Sequence, residues 1–354
     1  MSRKNNKLFL FDLVTAFNNR GDLLINRSLI HNLRKYGQVR VKTSEIPAEF
    51  LTQLCLADSE QCKSIFKECV VNFFRTRVYF VGIPGHNFGG ASRILPSLIG
   101  LIRLFVLRAV FRFRFIKVGN SLGPLPKIVI HIERAKSYVC ELYGVRDSDS
   151  LDLCENSRVQ YFPDLAFISH DLRCNSKYNP AAYYFLSFRS QVFVRNDDDK
   201  YLQAVVGKLL EYFRLKHNVE IVIAYQVPSD KQACLFVYEA LSRLPDVSVK
   251  FIDRVLELTE SIEFIQQSKC VFSNRLHVLL PALVGGIPHV AVTDLRRHSK
   301  ITSLYAHVGA GCCLCDVFGD KPIEIVASNA GEALAEIART QHDVAIGVMD
   351  RCLQ

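Results

Sequence analysis

The segment Ser273–Val292 constrains this chain more than any other, because it places an arginine and a histidine two residues apart where a strand gives way to a helix. Lys269–Ser273 is a short apolar run that reads as a buried strand, and Val278–Val284 continues as an apolar helix. Gly285 and Gly286 stop that helix, and Ile287–Val292 reads as the next strand. The resulting βαβ unit holds Arg275 and His277 at the carboxyl end of its first strand, the edge where ligands bind in open α/β sheets. These two side chains beside a helix N-terminus suit a phosphate or carboxylate. The plainer alternative is an arginine that caps a neighbouring helix, with the histidine packed under it.

Strands and helices alternate through the rest of the chain. Leu8–Leu13 reads as the first strand, Asp22–Tyr36 as a helix and Val39–Lys42 as a second strand. Pro47–Phe74 reads as one helix, with Cys55, Cys62 and Cys69 recurring every seven residues on its inner face. Arg77–Gly82 is a strand, Ile83–Gly90 a loop, and a long helix follows to about Arg112 before the strand Phe115–Gly119. Turn signals between Pro163 and Pro180 mark a domain boundary, after which Tyr183–Phe188, Val219–Ala224 and Val249–Phe251 restart the strand rhythm. This alternation predicts parallel, doubly wound sheets. The expected domains are 1–172 and 180–329, with a helical tail, 330–354, that could fold back over the first.

At 354 residues the chain exceeds the usual ~100–200 residues of one domain. Hydrophobic residues at 49% and charged residues at 22% exclude a disordered chain. The net charge of +9 is partly clustered: Arg103, Arg108, Arg112, Arg114 and Lys117 share a stretch with no acidic residue between Ser92 and Gly119. No nucleic-acid module accompanies it, so nucleic acid is not expected as a partner. Residues 94–117 are open to two readings. One is a core-packing helix whose arginines snorkel; the other is a basic amphipathic segment in peripheral contact with anionic membrane lipid. Its arginines interrupt the ~20 apolar residues that a membrane span needs. The apolar run Leu8–Phe11 is cut by Asp12, too short for a signal-peptide core. Twelve cysteines lack the paired spacing of a zinc site, so no metal is expected and reduced cytoplasmic thiols are the simpler reading.

Five short boxes in order carry a family resemblance. Asn19-Arg-Gly-Asp22, Gly119-Asn-Ser-Leu-Gly-Pro124, Arg146-Asp-Ser148, Pro163-Asp164, and Ser273-Asn-Arg-Leu-His277 with the following Gly-Ile-Pro resemble the polysaccharide pyruvyl transferase family. The resemblance covers roughly residues 8–310. It implies two Rossmann-like domains facing a central cleft, a glycosyltransferase-B-like architecture. It also implies transfer of pyruvate from phosphoenolpyruvate to a glycan acceptor, lipid-linked or not, as a cyclic ketal. No further cofactor is implied, and the setting would be cytoplasmic or the inner face of the membrane.

Under this resemblance Arg275 and His277 would bind phosphoenolpyruvate and take part in catalysis. His277 could act as a phosphate-stabilising imidazolium or as a proton donor. Arg189, at the end of the strand Tyr183–Phe188, and Lys300, downstream of Asp294, would be further phosphate or carboxylate contacts. Asp22 is the candidate base or acceptor-orienting residue, with a helix-capping role as its alternative. Asn19, Gly21, Ser121 and Gly123 are candidate acceptor or loop contacts. The Gly-x-Ser-x-Gly letters around Ser121 match a nucleophile elbow, but Pro124 opposes that geometry. A sugar-nucleotide-dependent glycosyltransferase using Asp294 for ribose hydroxyls, or a non-catalytic scaffold, are the competing readings.

Overall fold

A computed structural model describes residues 7–72, 76–155, 158–173, 183–190, 198–325 and 330–354. The last part of the boundary expected between Pro163 and Pro180 lies outside them. The chain forms two compact units. The first comprises the N-terminal residues up to Phe17, then Asp22–Ser169 and His342–Gln354; the second comprises Asn18–Gly21 and His170–Gln341.

In chain order the strands of the first unit are β1 (Lys7–Phe11), β2 (Gln38–Lys42), β3 (Gln61–Cys62), β4 (Arg77–Val81), β5 (Gly85–Asn87), β6 (Arg114–Leu122), β7 (Leu142–Val145) and β8 (Val159–Tyr161). They pair in the order β3-β2-β1-β4-β6-β7-β8, with β5 added against β6. The second unit contains β9 (Tyr183–Ser187), β10 (Val219–Tyr225), β11 (Val247–Val255), β12 (Cys270–Ser273), β13 (His289–Thr293) and β14 (Leu314–Asp316). Its order is β11-β10-β9-β12-β13-β14. The strand pairings in both sheets are parallel.

Strands covered by helices on both faces need apolar residues at every position, not alternate ones. β1, β9, β12 and β13 are accordingly buried along their whole length. In the second unit the chain moves outward from β9 to β11 and then returns to pair β12 on the other side of β9. That reversal leaves a crevice at the carboxyl ends of β9 and β12, the topological switch point of a doubly wound sheet.

Two sequence expectations fail here. Pro47–Phe74 is not one helix but a helix at Ala48–Gln53, a 3-10 turn at Asp58–Glu60, β3, and a helix at Ile65–Asn72. Cys55 sits at φ 53° and is exposed, while Cys62 pairs with Lys42 of β2, so no cysteine stripe exists. The seven-residue spacing imitated a helix face across a chain reversal. The eleven described cysteines are free thiols.

The reading of the 94–117 segment as a core-packing helix holds only along one stripe, where Leu104 and Leu107 pack against the core. The helix Ile94–Phe111 contains no buried residue, whereas Phe113, Phe115 and Ile116 beyond it are buried. Of the arginines expected to interrupt an apolar span, only Arg103 and Arg108 lie within this helix. Ala91–Phe111 is long and apolar enough to cross a membrane by length and composition. The final helix, Ala330–Leu353, ends in the first unit, where Tyr36 Oη donates to Asp350 Oδ1 at 2.8 Å and Lys7 Nζ to the Leu353 carbonyl.

Candidate functional site

The carboxyl ends of β9, β10, β12 and β13 bring a polar cluster together in the second unit. Arg189 follows β9 and Arg275 follows β12, so both arginines stand at the switch point. The backbone at this point is fixed by short bonds. Ser273 Oγ donates to the Ser187 carbonyl at 2.5 Å and accepts from Arg275 N at 2.9 Å. Asn274, fully buried, accepts from Arg189 N through Oδ1 and donates to the Arg189 carbonyl through Nδ2, both at 2.9 Å. Its side chain thus pins the arginine's backbone from both sides.

The guanidinium groups have different partners. Arg275 Nη2 donates to Asp230 Oδ1, a buried carboxylate that follows β10. Burial pushes the Asp230 carboxyl up from its ordinary range, against the pull of Arg275 and Arg189. Arg189 Nη2 lies 2.7 Å from His298 Nε2. Burial and then the charges of Arg189, Lys300 and Arg275 push His298 down to about 3, so the imidazole is neutral at pH 7. A guanidinium can only donate, so Nε2 accepts and Nδ1 carries the proton that reaches Thr293 Oγ1. Arg189 in turn is pushed down to about 10, first by burial and then by Arg275. Two like charges are therefore held close enough to oppose each other. Arg189 Nε and Arg275 Nε are both buried without a hydrogen-bond acceptor among the described residues.

His277 occupies the first turn of the nine-residue helix Leu276–Val284. Pro281 in that helix has no N–H to give the His277 carbonyl four residues earlier. Gln226, after β10, replaces it: Nε2 donates to His277 O at 3.2 Å. The ring packs on Gly21, where any Cβ would stand 2.2 Å from His277 Nδ1. Only glycine fits there, a physical reason for the third letter of the Asn-x-Gly-Asp box. Arg20 Nε beside it donates to the Leu256 carbonyl at 2.8 Å.

The other sequence candidates have these surroundings. Asn19 Oδ1 accepts from Gly21 N at 3.0 Å and caps the helix Arg20–Leu33, so the capping role considered for Asp22 falls to Asn19. Asp22, in the first unit, accepts through Oδ2 from Thr15 Oγ1 at 2.6 Å and Ala16 N at 3.2 Å. Lys300 stands in the first turn of Ser299–Val308, close enough to His298 to depress it. Asp294 is spent on its own turn, with Oδ1 accepting from Arg296 N and Arg297 N. A cavity of about 490 Å³ opens past it, lined by Lys200, Tyr201, Arg296 and Phe318 among others.

Ser121 is buried within β6 rather than on a strand-to-helix elbow. Its hydroxyl donates to Asp147 Oδ2 at 2.5 Å and accepts from Arg146 Nε at 2.7 Å. Gly123 turns the chain just beyond at φ 107°, a region few other residues adopt. Arg146 Nη1 reaches Asp164 Oδ2 at 2.5 Å, Ser150 N reaches Asp147 Oδ1 at 2.8 Å, and Leu122 N reaches Ser150 Oγ at 2.7 Å. Three separate sequence boxes thus close into one buried network at the carboxyl ends of β6, β7 and β8.

Sequence reasoning named Arg189 and Arg275 but gave no role to Asp230, Asn274 or His298; Asn274 sits inside the Ser273–His277 box, whereas no local motif marks the other two. A family model for polysaccharide pyruvyl transferase matches residues 19–294. No curated protein matches the chain. Among solved structures, the glycotransferase of kitacinnamycin aligns over 99% of this chain and 100% of its own, at 11% identity and TM-score 0.52. The UDP-GlcNAc 2-epimerase of Methanocaldococcus jannaschii aligns over 95% and 93%, at 11% identity and TM-score 0.51. At such identity the likeness is one of fold.

Proposed function

Because the chain belongs to the polysaccharide pyruvyl transferase family, we propose that it takes pyruvate from phosphoenolpyruvate and sets it on a sugar of a polysaccharide or its lipid-linked precursor as a cyclic ketal, releasing phosphate. The observation that carries this reading is the pair of buried arginines whose Nε donors lack an acceptor among the described residues. A small ligand with a phosphate and a carboxylate on neighbouring atoms would supply acceptors to both and offset their mutual repulsion. Neutral His298 and the Asp230 carboxyl would hold the outer nitrogens, leaving each Nε edge for the ligand.

The chemistry needs protonation of the methylene carbon, which leaves an oxocarbenium-like centre at C2. One sugar hydroxyl then bonds to C2 and gives its proton to a base. The C2–O bond to phosphate breaks, phosphate leaves with its electron pair, and a second hydroxyl closes the ring and loses its proton. Arg189, Arg275 and Lys300 would stabilise the departing phosphate. His277 would deliver the proton to carbon or hold phosphate as imidazolium. Asp22 is the candidate base, with Thr15 and Ala16 fixing one carboxylate oxygen.

Thermal-shift titration tests the donor. Phosphoenolpyruvate should raise the melting temperature of the wild type but not of Arg189→Gln, and nucleotide sugars should leave it unmoved. Stabilisation by a nucleotide sugar alone would replace this reading with glycosyl transfer. His277→Ala should abolish turnover while phosphoenolpyruvate still binds. Asp22→Asn should lower kcat far more than donor affinity; equal activity would leave Asp22 only its loop bonds.

A further inference from the structure

The helix Ile94–Phe111 rests on the first unit along one stripe only. Leu104 and Leu107 pack against the core, and Arg108 Nη1 donates to the Val139 carbonyl at 2.5 Å. On the opposite side Leu95, Leu98, Ile99, Ile102, Val106 and Val110 are each between 42% and 65% exposed. At helical spacing these six share an arc of about 120° that holds no charge. The apolar surface continues onto the neighbouring helix Ile65–Asn72, where Phe66 is 76% and Val70 59% exposed. Between the two helices lies a groove of about 290 Å³, with Arg103 on its wall. An apolar area of this extent on a folded protein marks a contact surface.

The charges on the helix Ile94–Phe111 and at its two ends have one sign. Arg93, Arg103 and Arg112 are exposed, and none of them makes an ion pair among the described residues. Arg114 and Lys117, by contrast, are matched by Glu141 and Glu133. No acidic residue occurs between Ser92 and Gly119. A second copy of the chain laid on this face would set arginine against arginine, whereas an anionic lipid surface matches both the apolar arc and its cationic border.

We propose that the first unit docks on anionic phospholipid bilayers through this face, with the helix lying in the plane of the interface. It lies there rather than crossing, because β5 before it and β6 after it pair with each other in one sheet. A spanning helix would deliver its ends to opposite sides of ~30 Å of hydrocarbon. The docking rests on this surface alone and stands or falls apart from the donor site.

The test is co-sedimentation of the full chain with vesicles of phosphatidylcholine, alone or mixed with phosphatidylglycerol. The protein should pellet with the mixed vesicles and be released by salt. Arg103→Gln and Arg112→Gln should each weaken binding about fivefold. The double variant Ile102→Glu, Val106→Glu alters only solvent-facing side chains. It should keep its melting temperature and stay in the supernatant. Wild-type protein left in the supernatant at low salt, or bound equally to neutral vesicles, overturns the proposal. So does a solution dimer that the double variant splits, since a second copy would then own the face.

Discussion

Arg146 and Arg275 both stand at the carboxyl end of a parallel sheet and both reach a buried aspartate, but they differ in what is left over. Around Arg146 the arginine, Asp147 and Asp164 leave no buried polar atom without a partner among the described residues, although Asn120 Nδ2, whose own carbonyl accepts from Arg146 N, does lack one. Around Arg275 three atoms of charged groups lack one among the described residues, its own Nε, Arg189 Nε and Asp230 Oδ2, and Ser187 Oγ does besides. A network whose charged groups are all paired has little to offer an ionic ligand and serves the fold, while one with unpaired charged groups stores binding capacity at a cost in stability. Conservative-looking motif letters occur in both places. Only the hydrogen-bond inventory separates them.

Breaking the closed network should give the largest effect. Arg146→Met strands Asp164 in the core, and urea denaturation should register a loss of about 3–5 kcal/mol. Pyruvyl transfer per folded molecule should be nearly unchanged; a specific loss of turnover at full stability would erase the contrast. Arg275→Lys keeps the charge beside Asp230 but loses the planar fork. Turnover should fall about 10²–10³-fold with little change in urea midpoint. Asn274→Ala removes both bonds to the Arg189 backbone and should cost about 1–3 kcal/mol while raising the apparent KM for phosphoenolpyruvate. An unchanged KM would make Asn274 purely structural.

The smallest expected effect is on acid stability. His298 is neutral when folded, pushed down to about 3, against an unfolded value near 6.5. The unfolded chain therefore binds the proton first. The contribution of His298 is present above about pH 6.5 and is lost as pH falls from there toward 3. In His298→Gln, where the amide oxygen can still accept from Arg189, the decline in melting temperature between pH 7 and pH 4.5 should be shallower than in the wild type. An identical slope would mean that His298 is not held neutral.

The parallel fold was legible because fully buried strands leave continuous apolar runs such as those of β1, β12 and β13. Arg275 was legible because a βαβ unit announces its carboxyl edge. Asp230 and Asn274 were not, since the first meets Arg275 from 45 positions away and the second meets Arg189 from 85. His298 reaches Arg189 across 109. Periodicity reports which face is apolar, not which strand ends will be neighbours. The Pro47–Phe74 error has a related origin, because regular cysteine spacing carries no information about Cys55 turning to φ 53°.

The Asn274 side chain has one further consequence. Its amide meets the N–H and carbonyl of Arg189 as a neighbouring strand would, one step beyond the Ser273 and Ser187 register of β12 and β9. Arg189 thus follows the end of its strand in sequence but is held like a sheet residue. Its peptide hydrogen should exchange with deuterium as slowly as those of β9, not at the pace of a surface turn. An anion arriving there finds a backbone already ordered, so little of its binding energy goes into freezing the protein.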